Sequence, residues 1–182
     1  MERTRVVTLA VAAIAIVAVL APTTAAASLP TPTHAKIKPF KKIGAVKLGI
    51  SKAKAFEEWG GGQCALEDSG GETCVWLSAS PADFPAEGAA VQLFGGEVCG
   101  MFIRAGTPFS GGGQTITGLK KWKTEEGVGL GSKLKAAKKV LGGGKLSKEK
   151  HGVTTSFIQS FASGSEDRVG EITIFKDGCN VT

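Results

Sequence analysis

The feature that most constrains this chain is an internal repeat. Residues 46–62 read VKLGISKAKAFEEWGGG, and residues 128–144 read VGLGSKLKAAKKVLGGG. Without gaps, Val46, Leu48, Gly49, Ala55, Gly60, Gly61 and Gly62 fall on Val128, Leu130, Gly131, Ala137, Gly142, Gly143 and Gly144. Each copy runs from an apolar start through a glycine and a short Lys-rich helical stretch to a glycine stop. A chain that encodes one short unit twice is expected to fold as two copies of one supersecondary element. The repeat specifies architecture and carries no chemistry. We divide the chain into a first unit, 43–114, and a second unit, 115–182.

Local signals fill in each unit. Ser51 is placed to cap a helix from Lys52 to Trp59, ended by Gly60 to Gly62. Ala53, Phe56 and Trp59 form its predicted inner face. A strand is expected from Thr73 to Ser78, then a hairpin of Ala90 to Phe94 and Val98 to Arg104 around Gly95 and Gly96. In the second unit Ser132 is the expected cap of a helix from Lys133 to Leu141, with Leu134, Ala137 and Leu141 inward. Val153 to Phe161 and Arg168 to Phe175 are the expected strands, with Ser156 and Ser160 on a solvated side. The segment 98–103, VCGMFI, aligns with 169–174, VGEITI. Alternation sends Met101, Ile103, Ile172 and Ile174 to one face. It sends Gly100, Phe102, Arg104, Glu171, Thr173 and Phe175 to the other. The predicted class is α+β: two tandem helix-plus-antiparallel-hairpin repeats forming one sheet, with helices packed on one face.

The amino terminus has the form of an export signal. Arg3 and Arg5 precede an apolar run from Val6 to Leu20, then Pro22 and small residues up to Ala25 and Ala27. That order is a charged region, an apolar region and a cleavage site. We expect cleavage after Ala27, so 1–27 is a signal peptide and no transmembrane span remains. Residues 28–42, rich in Pro and Lys, are expected to be an extended, solvated leader that includes His34. Four cysteines in an exported chain predict two disulfides. Three pairings are possible, and we favour Cys64 with Cys74 and Cys99 with Cys179. Neither a C-x-x-C motif nor a histidine at ligand spacing is present, so no metal is expected.

The short G-x-S helix ending in glycine, the cysteine pair around the next strand with Trp76 beside it, the hairpin and the second copy resemble the secreted β-lactamase inhibitor proteins. They also resemble, more distantly, the envelope-assembly lipoproteins of the BamE/SmpA type, and secreted actinobacterial proteins of similar pattern. The resemblance spans Val46 to Trp76 and Val128 to Phe175. It implies a tandem-repeat fold whose concave sheet and connecting loops clamp a partner protein.

Motifs for catalysis fail on their own terms. Residues 127–133, GVGLGSK, end in Gly-Ser-Lys where a phosphate loop ends in Gly-Lys-Ser/Thr, and Ser132 replaces the third glycine of a dinucleotide fingerprint. The pairs Glu57–Glu58 and Glu125–Glu126 are neighbours that diverge around a helix, whereas glycoside hydrolysis needs two carboxylates facing across a cleft. His151 reads as a turn residue with no nucleophile signature near it. We expect no enzyme and no cofactor.

Charge and exposed aromatics leave two binding readings. The chain carries a net charge of +6, nearly all of it Lys. Beyond residue 27 the only arginines are Arg104 and Arg168, a poor supply for bidentate phosphate or base readout, and no nucleic acid is expected. The first reading is a protein-binding patch of Trp76, Phe102, Arg104, Glu171 and Phe175 on the open sheet face, for another secreted or envelope protein. The alternative is attachment to anionic cell-wall or lipid polymers through Lys52, Lys54, Lys135, Lys138 and Lys139 on the repeated helices.

Overall fold

The computed structural model describes residues 28–31, 36–78, 86–107, 113–116 and 118–179. The expected signal peptide and His34 lie outside them. Among the described residues the chain combines two short helices with ten strands in two antiparallel sheets. No described helix is long and apolar enough to cross a membrane.

The main sheet has seven strands in the order β4-β5-β6-β7-β10-β9-β8. They are β4 Gln63–Leu66, β5 Glu72–Leu77, β6 Gly88–Phe94, β7 Glu97–Arg104, β8 Ser147–Lys150, β9 Val153–Gln159 and β10 Val169–Lys176. Gly95 and Gly96 join β6 to β7 with φ of 60° and 81°, a turn in which both central residues must be left-handed. β7 and β10 join the two halves in an antiparallel register centred on the Phe102–Thr173 pair.

The start of each helix is tied to its half of the sheet by the same set of backbone bonds. Gly49 N–H donates to Val98 O, Val98 N–H to Ile50 O, and Lys52 N–H to Gly96 O. In the second half Gly131 N–H donates to Val169 O, Val169 N–H to Ser132 O, and Leu134 N–H to Asp167 O. A β-bulge interrupts the ladder at matching places too, between Gln92 and Leu93 opposite Cys99, and between Val169 and Glu171 at Gly170.

Helix α1 spans Lys52–Trp59, as its sequence signals require. Ser51 Oγ accepts from Lys54 N–H at 3.3 Å, and Gly60 stops the helix at φ 82°, where a side chain would be strained. Its buried residues are Ala55 and Trp59, and the expected Ala53 is exposed. Helix α2 spans Leu134–Leu141 and buries Ala137 and Leu141. Its N-cap is Lys133, without a side-chain hydrogen bond. Ser132, expected as the cap, accepts instead from Gly129 N–H at 3.0 Å.

One cluster of fully buried side chains fills the space between helices and sheet, with Met101, Ile103, Ile172 and Ile174 on its floor. The three tryptophans run through it. Trp76 meets Phe56 and Trp59 edge-on, and Trp59 stacks on Trp122 at 5.2 Å between centroids. Gly62 is required where it stands, because a Cβ there would lie 2.8 Å from the Trp76 ring.

The leader departs from expectation. Ile37–Lys38, Lys42–Ile43 and Val46–Lys47 form a three-stranded sheet, β1-β2-β3. Ile37, Ile43 and Val46 are fully buried, Ile37 N–H donates to Lys123 O at 2.7 Å, and Phe40 N–H donates to Thr155 Oγ1 at 2.8 Å. Prolines among lysines gave a solvated reading; the apolar residues between those lysines, Ile37 and Ile43, are buried in the core. Ser160, expected to be solvated, is buried, with its hydroxyl accepting from Ala162 N–H.

Both disulfides pair as favoured above. Cys64–Cys74 links adjacent strands, and Cys99–Cys179 closes a separation of 80 residues. On a chain-entropy basis the second is worth about 4–5 kcal/mol and the first about 3 kcal/mol.

Candidate binding face

The sheet face turned away from the helices carries its own surface. Phe102, Arg104, Glu171 and Phe175 lie on it and are half-buried. None of them belongs to the core cluster. Phe175 lies over Gly100, its cross-strand partner; a Cβ on Gly100 would sit 2.3 Å from the ring. A glycine in mid-strand costs intrinsic stability, and here it seats an aromatic ring flat against β7. The Arg104 guanidinium stands over the Phe102 ring, 5.9 Å from its centroid, a cation–π arrangement.

Trp76 is not part of this surface. It pairs with Ala89, which pairs in turn with Ile103, so it shares the core face. Its indole is fully buried and donates to Gly60 O at 3.1 Å. Placing it required the register of three strands, which neighbouring residues in the sequence do not encode.

At one end of the face a cleft of about 120 Å³ opens, lined by Arg104, Thr107, Gln159, Ser160, Phe161 and Glu171 among others. Its origin is the bulge in β10. Gly170 adds a residue to the strand, and a Cβ on it would stand 2.6 Å from the Ser160 backbone. Only glycine permits that approach, and the bulge re-aims Glu171 beside Arg104, its cross-strand partner. Phe161 stands at the cleft and is 86% exposed. The sequence pattern put Phe161 at a strand end and gave no sign that it would project.

The electrostatics of the cleft are unresolved within the chain. Burial pushes the Glu171 carboxyl above its ordinary value, and the nearby Arg104 charge only partly opposes this. Arg104 Nε is buried and has no hydrogen-bond partner among the described residues. A buried, unpartnered donor, Arg104 Nε, and a partly desolvated carboxyl therefore stand beside an exposed aromatic ring among the described residues. Such a set can take a backbone amide or a polar side chain of a ligand together with an apolar group.

The lysines named from the sequence divide by their partners. Lys52 bonds Glu72 at 2.6 Å, and Lys54 bonds Glu57 at 2.5 Å with Glu58 at 3.6 Å. The hydrogen bond and charge of Glu57 hold the Lys54 ammonium above its usual range. These two are neutralised locally. Lys135, Lys138 and Lys139 are exposed and make no ion pair among the described residues. A shallow groove beside the start of α2 adds Lys120, Lys121 and Lys123, with Ser132.

No protein-family model, curated protein or solved structure matches this chain.

Proposed function

We propose that this chain is an exported, non-catalytic binding module, built from two related helix-and-sheet units, that holds another protein on its open sheet face. The matching backbone bonds at Gly49 and Gly131, and the matching bulges at Cys99 and Gly170, support the two-unit reading. Two disulfides and the amino-terminal signal pattern support export. The observation that carries the binding reading is the buried, unpartnered Arg104 Nε, with Glu171 opposite it, beside exposed Phe161. The contact residues are Phe102, Arg104, Phe161, Glu171 and Phe175. Phe161 is the anchor, and Arg104 and Glu171 orient the partner's polar groups.

A second reading rests on Lys120, Lys121, Lys123, Lys135, Lys138 and Lys139, which have no acidic partner among the described residues and would hold an anionic envelope polymer. Lys52 and Lys54, also named for it from the sequence, are paired with Glu72 and with Glu57 and Glu58. Affinity capture separates the two. The oxidised protein and its Arg104→Ala and Phe161→Ala variants are incubated with culture fluid and solubilised envelope of the producing cells, then washed at low and high salt. One stoichiometric protein kept at high salt by the parent, and lost by both variants, supports the first reading. Polyanionic material that leaves as salt rises, from parent and variants alike, supports the second.

A further inference from the structure

The seven-stranded sheet ends in two open edges, and they are built differently. β8, Ser147–Lys150, is exposed throughout and carries Lys148, Glu149 and Lys150. Charged side chains, Lys above all, are the usual guard against edge-to-edge pairing. β4, Gln63–Leu66, is also exposed throughout, and its four residues bear no charge. Leu66 is 83% exposed. The Cys64–Cys74 disulfide fastens β4 to β5, so this unguarded edge is held in strand geometry.

The register shows which backbone groups of β4 are left unpaired among the described residues. Cys64 and Cys74 stand opposite each other with Cα atoms 4.0 Å apart, the close spacing of a pair that exchanges no backbone hydrogen bonds. Gln63 and Ala65 therefore turn their N–H and C=O groups toward β5, and Cys64 and Leu66 turn theirs outward.

The surroundings decide what would use them. No Lys or Arg occurs between Lys54 and Arg104, while Glu57, Glu58, Glu67, Asp68 and Glu72 flank β4 in the sequence. Only Glu57, Glu58 and Glu72 among them meet a lysine, Lys54 or Lys52. Two β4 edges brought together would set Glu67 and Asp68 of two copies in one neighbourhood, like charge against like. A strand bearing cationic side chains meets these carboxylates as opposite charges. We propose that the β4 edge is a second docking site, which accepts an extended, lysine- or arginine-bearing segment of a partner protein by strand addition, through the outward backbone groups of Cys64 and Leu66.

The test uses a synthetic peptide, acetyl-KTVKVKVTK-amide, against the oxidised protein. Controls are the same peptide with glutamate in place of lysine, and the lysine peptide N-methylated at alternate residues. Amide exchange is read residue by residue and affinity by fluorescence anisotropy. The lysine peptide should slow exchange at Cys64 and Leu66 and bind at least about tenfold more tightly than either control. Leu66→Pro, which removes an outward N–H and no bond to β5, should abolish binding. Should that variant unfold, Leu66→Lys provides the same test through charge, with an expected loss of at least about tenfold. Phe161→Ala, on the open face, should leave this binding unchanged, so the two sites fail separately. Protection at Lys148–Lys150 instead, equal binding of the glutamate peptide, concentration-dependent self-association through β4, or no change at Cys64 and Leu66 would each overturn the proposal.

Discussion

Gly100 and Gly170 show how single residues shape the open sheet face. At Gly100 the missing side chain admits the Phe175 ring; at Gly170 it admits the Ser160 backbone and opens the cleft. Gly100→Ala should displace Phe175 and cost about 1–3 kcal/mol, as overpacking does. Urea denaturation of this variant, and of Gly100→Ala combined with Phe175→Ala, reads the effect. The second substitution should recover most of the loss caused by the first. Glu171 makes a prediction in pH. Its folded carboxyl titrates above the ordinary value of 4.5, chiefly through burial. The folded state then binds more protons than the unfolded state in the window above 4.5, so this group's contribution falls as pH rises through that window. Glu171→Gln removes the effect. The melting temperature of the variant should gain on the parent as pH rises above 4.5, and the gap should close in acid. A gap that widened in acid would mean that Arg104, rather than burial, controls this carboxyl.

At the scale of elements, the two helices carry the same pattern with different starts. Ser51 caps α1, whereas Lys133 occupies the cap of α2 in an extended conformation and offers no acceptor. Ser51→Ala should cost about 1 kcal/mol and Lys133→Asp should gain a similar amount. Thermal melts of the two variants should therefore move in opposite directions. The helices, the central hairpin and the return strand were legible because each has a local cause: a cap, a glycine at a left-handed position, or two-residue alternation. β4 and β8 were not. Each is only four residues long and exposed throughout, so neither shows a buried periodicity, and only the neighbouring strand makes it a strand. The face of Trp76 was lost for a related reason. Its own strand alternates correctly, but which side faces the helices is settled by β6 and β7. Of the site, Phe102, Arg104, Glu171 and Phe175 could be read from alternation along two strands. Phe161, Gln159 and Thr107 come from loops and strand ends that the β10 bulge gathers, and no pattern in the sequence brings them together.

Across the whole molecule, one core serves both halves. Trp59 of the first half bridges Trp76 to Trp122 of the second, β7 pairs with β10, and Cys99–Cys179 closes the chain across the same seam. Such a seam favours a rigid sheet, and a rigid sheet keeps the open face in a geometry a partner can match without a large ordering cost. Hydroxyl-radical footprinting tests the central claim most directly. The oxidised protein is labelled alone and after incubation with culture fluid and envelope extract of the producing cells. The account predicts that Phe161 loses most of its reactivity in the complex, followed by Phe102 and Phe175, while the segments bearing Lys120 to Lys123 and Lys135 to Lys139 react as before. Unchanged labelling at Phe161, with protection on those lysine-bearing segments instead, would contradict it.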